Sequence, residues 1–267
     1  MNTKTLLALA VLSLATLPQS PLRAGPDHGP RPLGEYAPLP ATCIVIYDRA
    51  IGEYRVHNME QCRERLSPCS TFKIPNALIG LETGMVSGPG DTRKWDGTKR
   101  SREVLNQDHD LASAIRHSVV WYFQGLARDI GPERMQAALD AWDYGNRDIS
   151  GGQDRFWLSS SLQISALEQL EFMDKLDREA LPASASNQAE VKRMMRQDEN
   201  LPKGFMGELY GKTGSCISES GTPPHGWFAG FLHRGSKRYV CAVDGKGDGQ
   251  WGWEARKIIV NILHDLH

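Results

Sequence analysis

The sequence predicts an α+β fold: one antiparallel sheet, built from both chain ends and flanked by helices, carries an inserted all-helical lobe. Three observations predict it. Short apolar and β-branched runs lie near residues 43–56 and again after residue 204. Between them, apolar residues recur every three or four positions, as in amphipathic helices. The length, 267 residues, is enough for one large domain or two interleaved lobes with a sizeable core.

The first two dozen residues predict a cleavable secretory signal. Lys4 provides a positive start, residues 5–17 are uncharged and apolar, and a polar segment with prolines ends near Ala24. The apolar stretch is too short to span a bilayer comfortably. We therefore expect residues 1–24 to be removed and the mature protein to reach the periplasm without a membrane anchor. A buried N-terminal helix is the alternative.

The segment after the signal predicts a leader and a hairpin. Residues 25–40 are rich in proline and glycine and predict an extended chain. Residues 43–47 (CIVIY) predict a strand, residues 48–52 a turn, and residues 53–56 a second strand.

Five segments in the middle of the chain have helical periodicity. They are residues 70–84, 110–130, 132–142, 162–176 and 187–195. Gly84 is a suitable residue just past the end of the first, and Pro132 suits the first turn of the third.

The last part of the chain returns to the period of strands. Residues 208–212, 226–233 and 238–244 predict strands, and residues 253–266 predict a helix with one apolar face. We expect a single catalytic domain, residues 25–267, in which residues 25–66 and 184–267 form an α/β lobe. Residues 67–183 form the helical lobe, and the cleft between the lobes is the expected site.

The composition and the cysteine count argue against two kinds of function, nucleic-acid binding and metal binding. The chain is 40% hydrophobic and 24% charged with a formal net charge of -1, which argues against a nucleic-acid partner. Five cysteines in an exported protein meet an oxidising compartment, and their odd number leaves at least one unpaired. They have no spacing typical of a zinc site, so we expect no metal.

A serine and a lysine at the start of a predicted helix carry the first chemical signal. Ser70 and Lys73 are three residues apart, so on a helix they share a face and the amine can reach the hydroxyl. A serine hydroxyl is a poor nucleophile until a base removes its proton, and a helix N-terminus stabilises developing negative charge. Alone, the pair would be better explained as a helix cap and a surface lysine.

Two further motifs follow in a set order. Residues 118–120 read SVV within the predicted helix 110–130, and residues 212–214 read KTG on a predicted strand. A serine–lysine pair, a second serine and then K-T-G is the motif order of penicillin-recognising serine enzymes.

The whole mature chain resembles the class D (oxacillinase-type) serine β-lactamases. The matching segments are STFKIPNALIGLETG at 70–84, SVV at 118–120, YGN at 144–146, FWLSSSLQIS at 156–165, KTG at 212–214, and Arg256 in the last helix. Val120 separates this pattern from class A enzymes, which resemble S-D-N there. The resemblance implies that the protein hydrolyses the amide bond of penicillin-type β-lactams. These small molecules would be its partners, and the protein would be a monomer or a homodimer.

The resemblance also implies how the lysine works. Ser70 is acylated, and Lys73 is carboxylated by carbon dioxide to become the general base for both acylation and deacylation, with no other cofactor. An apolar pocket of Val120, Leu158 and Trp157 would lower the pKa of Lys73, and only the neutral amine can attack carbon dioxide. The Trp157 indole N–H would donate to the carbamate.

The remaining roles follow from the same resemblance. Ser118 relays a proton to the lactam nitrogen. The substrate-binding residues are Lys212, Thr213, Ser215 and Arg256, of which Lys212 and Arg256 hold the substrate carboxylate. The backbone N–H groups of Ser70 and Ser215 form the oxyanion hole. Tyr144 and Asn146 shape the loop wall. A solvated position on its helix is the alternative for Arg256.

The same arrangement brings two cysteines together. If Ser70 and the KTG strand face one cleft, Cys69 and Cys216 lie behind it and close to each other. We therefore predict a Cys69–Cys216 disulfide, while Cys241 is expected to be a buried strand residue.

Two alternatives remain for the function. Sensor domains of β-lactam-responsive transducers resemble class D enzymes and acylate with little turnover, but they follow several transmembrane helices. Cell-wall D,D-peptidases resemble S-x-N rather than S-x-V and usually have an anchor or extra domains. Substrate range is expected to depend on the loops around 90–110 and 217–226.

Overall fold

The computed structural model describes residues 31–216, 225–247 and 250–266. The signal expected at 1–24 and most of the loop expected at 217–226 lie outside the described residues. Within the described ranges, no helix is both long and apolar enough to cross a membrane.

Five strands form one antiparallel sheet from the two ends of the chain, as predicted. They are β1 (Thr42–Asp48), β2 (Glu53–His57), β5 (Glu208–Cys216), β6 (His225–Arg234) and β7 (Lys237–Lys246). Their order is β2-β1-β7-β6-β5, so the first hairpin forms one edge and β5 forms the other. β5 is longer than expected because its pairing with β6 continues through the KTG motif to Cys216.

The two faces of this sheet contribute to different hydrophobic cores. Along β1, Ile44 and Ile46 pack in the cluster beneath the last helix, α8 (Gly252–Asp265). Cys43 and Val45 point the other way, into the large cluster shared with the helical lobe. Because side chains alternate across a strand, one apolar run serves both cores.

The helical lobe surrounds one buried helix. This helix, α2 (Lys73–Glu82), follows directly from a 3-10 turn, Cys69–Phe72, and its residues 73–80 are all buried. The helices that pack around it are α3 (Leu111–His117), α4 (Val120–Ile130), α5 (Pro132–Trp142) and α7 (Ala185–Met194). Two others, α1 (Met59–Arg63) and α6 (Ala166–Asp177), pack against the sheet. Two short strands, β3 (Thr92–Arg93) and β4 (His109–Asp110), pair with each other, and further 3-10 turns cover Leu33–Tyr36 and Glu103–Leu105.

Several predicted boundaries were wrong. The single helix expected over 110–130 is two helices, because Ser118 adopts a left-handed conformation (φ 60°) that ends α3. The helix expected from residue 162 begins only at Ala166, where Ser165 caps it together with Glu168. Residues 25–40 were expected to be extended, but Leu33–Tyr36 form a 3-10 turn within them.

Two disulfides lie among the described residues. Cys43–Cys62 joins β1 to α1, a pairing that the sequence left open. Cys69–Cys216 joins the 3-10 turn before α2 to the end of β5, which is the pairing proposed from sequence. Cys241 is a buried free thiol in β7.

Candidate active site

The two residues of the S-x-x-K motif are in direct contact. Ser70 is the second residue of the 3-10 turn, and Lys73 is the first residue of α2. Lys73 Nζ donates a hydrogen bond to Ser70 Oγ at 2.8 Å. The lysine is 0% exposed, and this burial, together with the positive charge of Lys212, lowers its pKa well below the ordinary value. A neutral amine beside a serine hydroxyl can accept its proton.

Aromatic rings surround this pair. The Phe123 ring centre lies 5.7 Å from Lys73 Nζ. Trp157 is fully buried and stacks on Phe72, the residue before Lys73, with 5.4 Å between ring centroids. Its carbonyl accepts the Cys69 N–H at 3.0 Å. This bond fixes Trp157 to the 3-10 turn Cys69–Phe72, which carries Ser70 and is called the nucleophile turn below. The Trp157 indole Nε1 is buried without a hydrogen-bond partner among the residues described.

The other two residues expected around Lys73 are less enclosed. Val120 is the first residue of α4 and is 36% exposed. Leu158 is half-buried and packs against the large core cluster. The aromatic ring recorded next to the amine is that of Phe123, which was not anticipated. Its place in an apolar helix predicted burial but gave no sign of this contact.

The YGN motif holds the loop that carries Trp157. Asn146 donates from Nδ2 to the Ser161 carbonyl at 2.8 Å and accepts the Gln163 N–H at 2.9 Å. Gly145 has φ 57°, and a Cβ there would lie 2.2 Å from the Gln163 carbonyl oxygen, so a side chain cannot fit. Tyr144 is buried and meets Phe72 edge-on at 5.8 Å.

Ser118 lies at the turn between α3 and α4 instead of inside a helix. Its N–H bonds back to the Ile115 carbonyl at 3.2 Å, and Val119 beside it is buried. The described residues include no hydrogen-bond partner for its half-buried hydroxyl.

The KTG motif lies on the free edge of the sheet, against the nucleophile turn. A Cβ on Gly214 would lie 2.9 Å from the Pro68 carbonyl oxygen, so glycine permits this close approach. Lys212 is 4% exposed, and its Nζ donates to the Thr213 carbonyl at 3.0 Å. Burial, with a smaller contribution from the positive charge of Arg102, lowers the pKa of Lys212 to about 7.

The outward backbone groups of β5 can be assigned from its pairing. Gly211 donates its N–H to Met195 and its carbonyl accepts from Gln197, so residue 211 faces away from β6. Backbone direction alternates along an antiparallel strand, so Thr213 and Ser215 face the same free edge. Ser70, second in its turn, also has an N–H without an intrahelical partner. The Ser215 hydroxyl is occupied, because it accepts the Gly252 N–H at 3.0 Å.

Arg256 is not in contact with Lys212 or Ser70 in the described structure. Its Nε donates to Gln197 Oε1 at 3.0 Å, and its Nη2 donates to the Glu199 carbonyl at 2.6 Å. Gln197 also bonds the Gly211 carbonyl at 3.1 Å, which links the guanidinium indirectly to β5. Gln197 was missed because it belongs to a polar run, residues 196–200, that predicts only a loop.

Ser67 is a second residue that sequence reasoning missed. Its hydroxyl donates to the Trp157 carbonyl at 2.9 Å and accepts the Ser159 N–H at 3.0 Å. Its carbonyl accepts from Trp227 Nε1 at 2.9 Å. Ser67 thus connects the nucleophile turn to the Trp157 loop and to β6. These contacts join segments that are distant in the chain, so no local sequence pattern predicts them.

Comparison with known proteins identifies relatives of this arrangement. Residues 42–264 match the family model described as the penicillin binding protein transpeptidase domain. The probable beta-lactamase YbxI of Bacillus subtilis is 46% identical over 222 residues, which are 82% of this chain and 79% of the relative.

Solved structures are similar along most of the chain. A class D beta-lactamase from Bacillus subtilis has a TM-score of 0.78 and 44% identity, covering 84% of this chain and 91% of its own. The C-terminal domain of the BlaR penicillin-receptor of Bacillus licheniformis has a TM-score of 0.79 and 31% identity, and the match covers 87% of this chain and 94% of that domain.

Proposed function

Because this chain belongs to the penicillin binding protein transpeptidase domain family and, within it, to the class D β-lactamases, we propose that it hydrolyses penicillin-type β-lactams through an acyl-enzyme on Ser70. One observation carries the proposal: a completely buried Lys73 with its amine 2.8 Å from the Ser70 hydroxyl. Such a lysine is a base, because burial disfavours its charged form.

Acylation uses the contacts around Ser70. As Ser70 Oγ attacks the lactam carbonyl carbon, its proton passes toward Lys73 and the C–N bond of the ring breaks. The lactam nitrogen needs a proton, and Ser118, whose hydroxyl has no partner in the described structure, is the proposed relay. The ring opens without losing an atom, so the whole substrate stays attached to the serine.

The developing negative charge on the carbonyl oxygen needs two donors. We assign the backbone N–H groups of Ser70 and Ser215 to this oxyanion hole. The outward direction of Ser215 on the edge strand and the close packing of Gly214 on the nucleophile turn support the assignment.

The surroundings of Lys73 fit carboxylation of its amine. Burial lowers the pKa of the amine and so favours the neutral form, which reaction with carbon dioxide requires. The buried Trp157 indole, which stacks on Phe72, the residue before Lys73, and lacks an acceptor among the described residues, is a suitable donor to a carbamate oxygen. Bound there, the carbamate would supply the general base for acylation and for activation of the deacylating water.

Substrate recognition requires a cation for the β-lactam carboxylate. Lys212 is the nearer candidate, since it lies on the edge strand beside the nucleophile turn. Arg256 is the second and would have to release part of its contact with the backbone carbonyl of Glu199 or with Gln197. Thr213 next to Lys212 contributes backbone groups on the same free edge.

We further propose that the protein acts in the periplasm. Two disulfides among the described residues favour an oxidising compartment. The predicted signal at residues 1–24 would direct it there, and N-terminal sequencing of the exported protein should begin at Gly25.

Mass spectrometry combined with turnover tests the proposed function. Mixed with excess benzylpenicillin, the wild type should hydrolyse many equivalents, and quenching during turnover should trap an adduct of the full mass of the drug on Ser70. Ser70→Ala should give neither adduct nor turnover. Cys241→Ser, a change in the α8-facing core, is the matched control and should keep both.

The sensor alternative predicts a different outcome. A sensor would take up one equivalent of benzylpenicillin and then stop, leaving a stable adduct on wild-type protein. This result would contradict a hydrolase, and a wild type that gives neither turnover nor a modified Ser70 would contradict both functions.

A further inference from the structure

Three potential metal ligands converge behind the nucleophile turn. They are Cys69, the first residue of the 3-10 turn; Cys216, the last residue of β5; and His225, the first residue of β6. Both sulfurs and one ring nitrogen lie within 4.8 Å of one another. The sequence predicted no metal site, because the two cysteines are 147 positions apart and no spacing motif joins them.

The histidine is held as metal-binding histidines usually are. His225 Nε2 lies 3.0 Å from the Ser67 carbonyl, which can only accept, so Nε2 carries the proton. The lone pair of the neutral ring is then on Nδ1. A ligating histidine commonly donates its other N–H to a backbone carbonyl, which fixes the tautomer and the ring orientation.

The surrounding contacts do not depend on the disulfide. The Ser67 carbonyl also accepts the Trp227 indole N–H at 2.9 Å, and the Cys69 N–H bonds the Trp157 carbonyl at 3.0 Å. Cys216 and His225 are directly paired across β5 and β6. Breaking the S–S bond would therefore leave the backbone of both cysteines and the imidazole near their present positions, and only the two sulfurs would move apart.

We propose that the protein, once the Cys69–Cys216 disulfide is reduced, binds one thiophilic divalent cation of the Zn²⁺ type through Cys69, Cys216 and His225. Two thiolates and an imidazole match the ligands that Zn²⁺ prefers, and water would complete a tetrahedron. The two thiolate charges neutralise the ion, so no net charge is buried. Metal binding at this site does not depend on the proposed hydrolysis.

The geometry of the backbone permits this exchange. Thiolates about 2.3 Å from a tetrahedral Zn²⁺ are about 3.8 Å apart. The Cα atoms of Cys69 and Cys216 are 5.6 Å apart, so side-chain rotation is enough to reach that separation. His225 is half-buried while both cysteines are buried, so the ion would enter from the histidine side.

The chemical step is a two-electron reduction followed by metal binding. A phosphine reductant gives two electrons to the disulfide and becomes a phosphine oxide with oxygen from water, and the two sulfurs take up two protons. Binding of the cation then releases those protons to the buffer. The cation would replace the disulfide as the link between the nucleophile turn and β5.

Cobalt titration of the reduced protein tests the proposal. After phosphine reduction and removal of excess reductant under argon, Co²⁺ should bind at one equivalent, with the visible absorption bands of a tetrahedral thiolate site, and Zn²⁺ should displace it. The oxidised protein should give no such bands. His225→Gln, which keeps an N–H donor but lacks the imidazole ligand, should weaken binding about tenfold or more.

The second disulfide provides the matched control. Cys43→Ser/Cys62→Ser should leave the cobalt spectrum and affinity unchanged, whereas Cys69→Ser/Cys216→Ser should abolish both; circular dichroism would check that each variant is folded. The proposal is overturned if reduced wild type gives no tetrahedral bands. It is equally overturned if His225→Gln, which retains the cysteines, binds Co²⁺ as the wild type does.

Discussion

Two buried lysines, one at the start of α2 and one on β5, have different partners. Both have lowered pKa values, chiefly because burial removes them from water. Lys73 donates to a hydroxyl, Ser70, which can either accept or donate a proton. Lys212 donates to the Thr213 carbonyl at 3.0 Å, which can only accept and so favours the charged amine, and its contact with the Thr213 hydroxyl is longer, at 3.5 Å. The contacts therefore suit Lys73 to proton transfer and Lys212 to holding an anion.

The surroundings of each lysine extend this difference. In the core around Phe72, next to Lys73 in the chain, the Trp157 N–H is a donor without a partner among the described residues, an environment that favours an acceptor there. Near Lys212 burial lowers the pKa of the amine and the positive charge of Arg102 lowers it further, and a bound carboxylate would relieve that repulsion. One environment can accommodate a modified, negative lysine, and the other can accommodate a negative substrate.

The largest effect is expected from removing the base. Lys73→Ala should lower kcat for benzylpenicillin by about 10²–10⁴-fold, because both acylation and deacylation lose their proton acceptor. Steady-state hydrolysis and the mass of the trapped adduct would measure it. Lys175→Ala, at a surface ion pair with Glu171, should leave kcat unchanged. Near-normal turnover by Lys73→Ala would show that Lys73 is not the proton acceptor.

The next largest effect is expected at the Trp157 indole, whose N–H has no hydrogen-bond partner among the described residues. Trp157→Phe keeps the stacking on Phe72 but removes the N–H, so kcat should fall about 10–100-fold, in the range of lost supporting donors. Added bicarbonate should restore part of the loss, because it opposes loss of carbon dioxide from Lys73.

Trp142→Phe is the matched control for this indole. Its Nε1 already has an acceptor, the Pro182 carbonyl at 3.3 Å, far along the chain from the site. Any loss in that variant should not respond to bicarbonate. If Trp157→Phe were equally unresponsive, the indole would be only a packing residue.

A smaller effect is expected from the charge of Lys212. With a pKa of about 7, its amine is charged below pH 7 and neutral above, while the penicillin carboxylate stays ionised. In the Ser70→Ala background, where no chemistry occurs, the Kd for benzylpenicillin should rise about tenfold from pH 6 to pH 8. Calorimetry would measure it. Ser70→Ala/Lys212→Met should bind weakly with no such pH dependence, and a slope that survives this change would assign the titration elsewhere.

Sequence reasoning predicted the sheet and the serine–lysine contact because both depend on short-range patterns. The β-branched apolar run of residues 43–47 predicted β1, and three-residue helical spacing brought Lys73 to Ser70. The break at Ser118 escaped it, because apolar residues keep their helical spacing on both sides of the turn. The start of α6 was readable: Ser165 and Glu168 form the S-x-x-E capping pattern.

Contacts between distant segments were not predictable in the same way. The pairing of Cys43 with Cys62 depends on how α1 packs against β1, which cysteine spacing does not encode. The hydrogen bond between Gln197 and Arg256 forms only because residues 196–200 lie beside the edge strand, where Gln197 also bonds the Gly211 carbonyl. A family motif names a residue for a role, but the folded chain decides which partners that residue must release.

Arg256 should give the smallest of these effects. Because its guanidinium is already bonded to Gln197 and the Glu199 carbonyl, binding a substrate carboxylate exchanges contacts instead of adding them. We expect Arg256→Ala to raise KM for benzylpenicillin about three- to tenfold, with kcat nearly unchanged. Lys257→Ala removes a positive charge from the same surface pocket and is the control, with KM expected to stay within about twofold. Equal changes in both variants would mean that Arg256 acts through general charge alone.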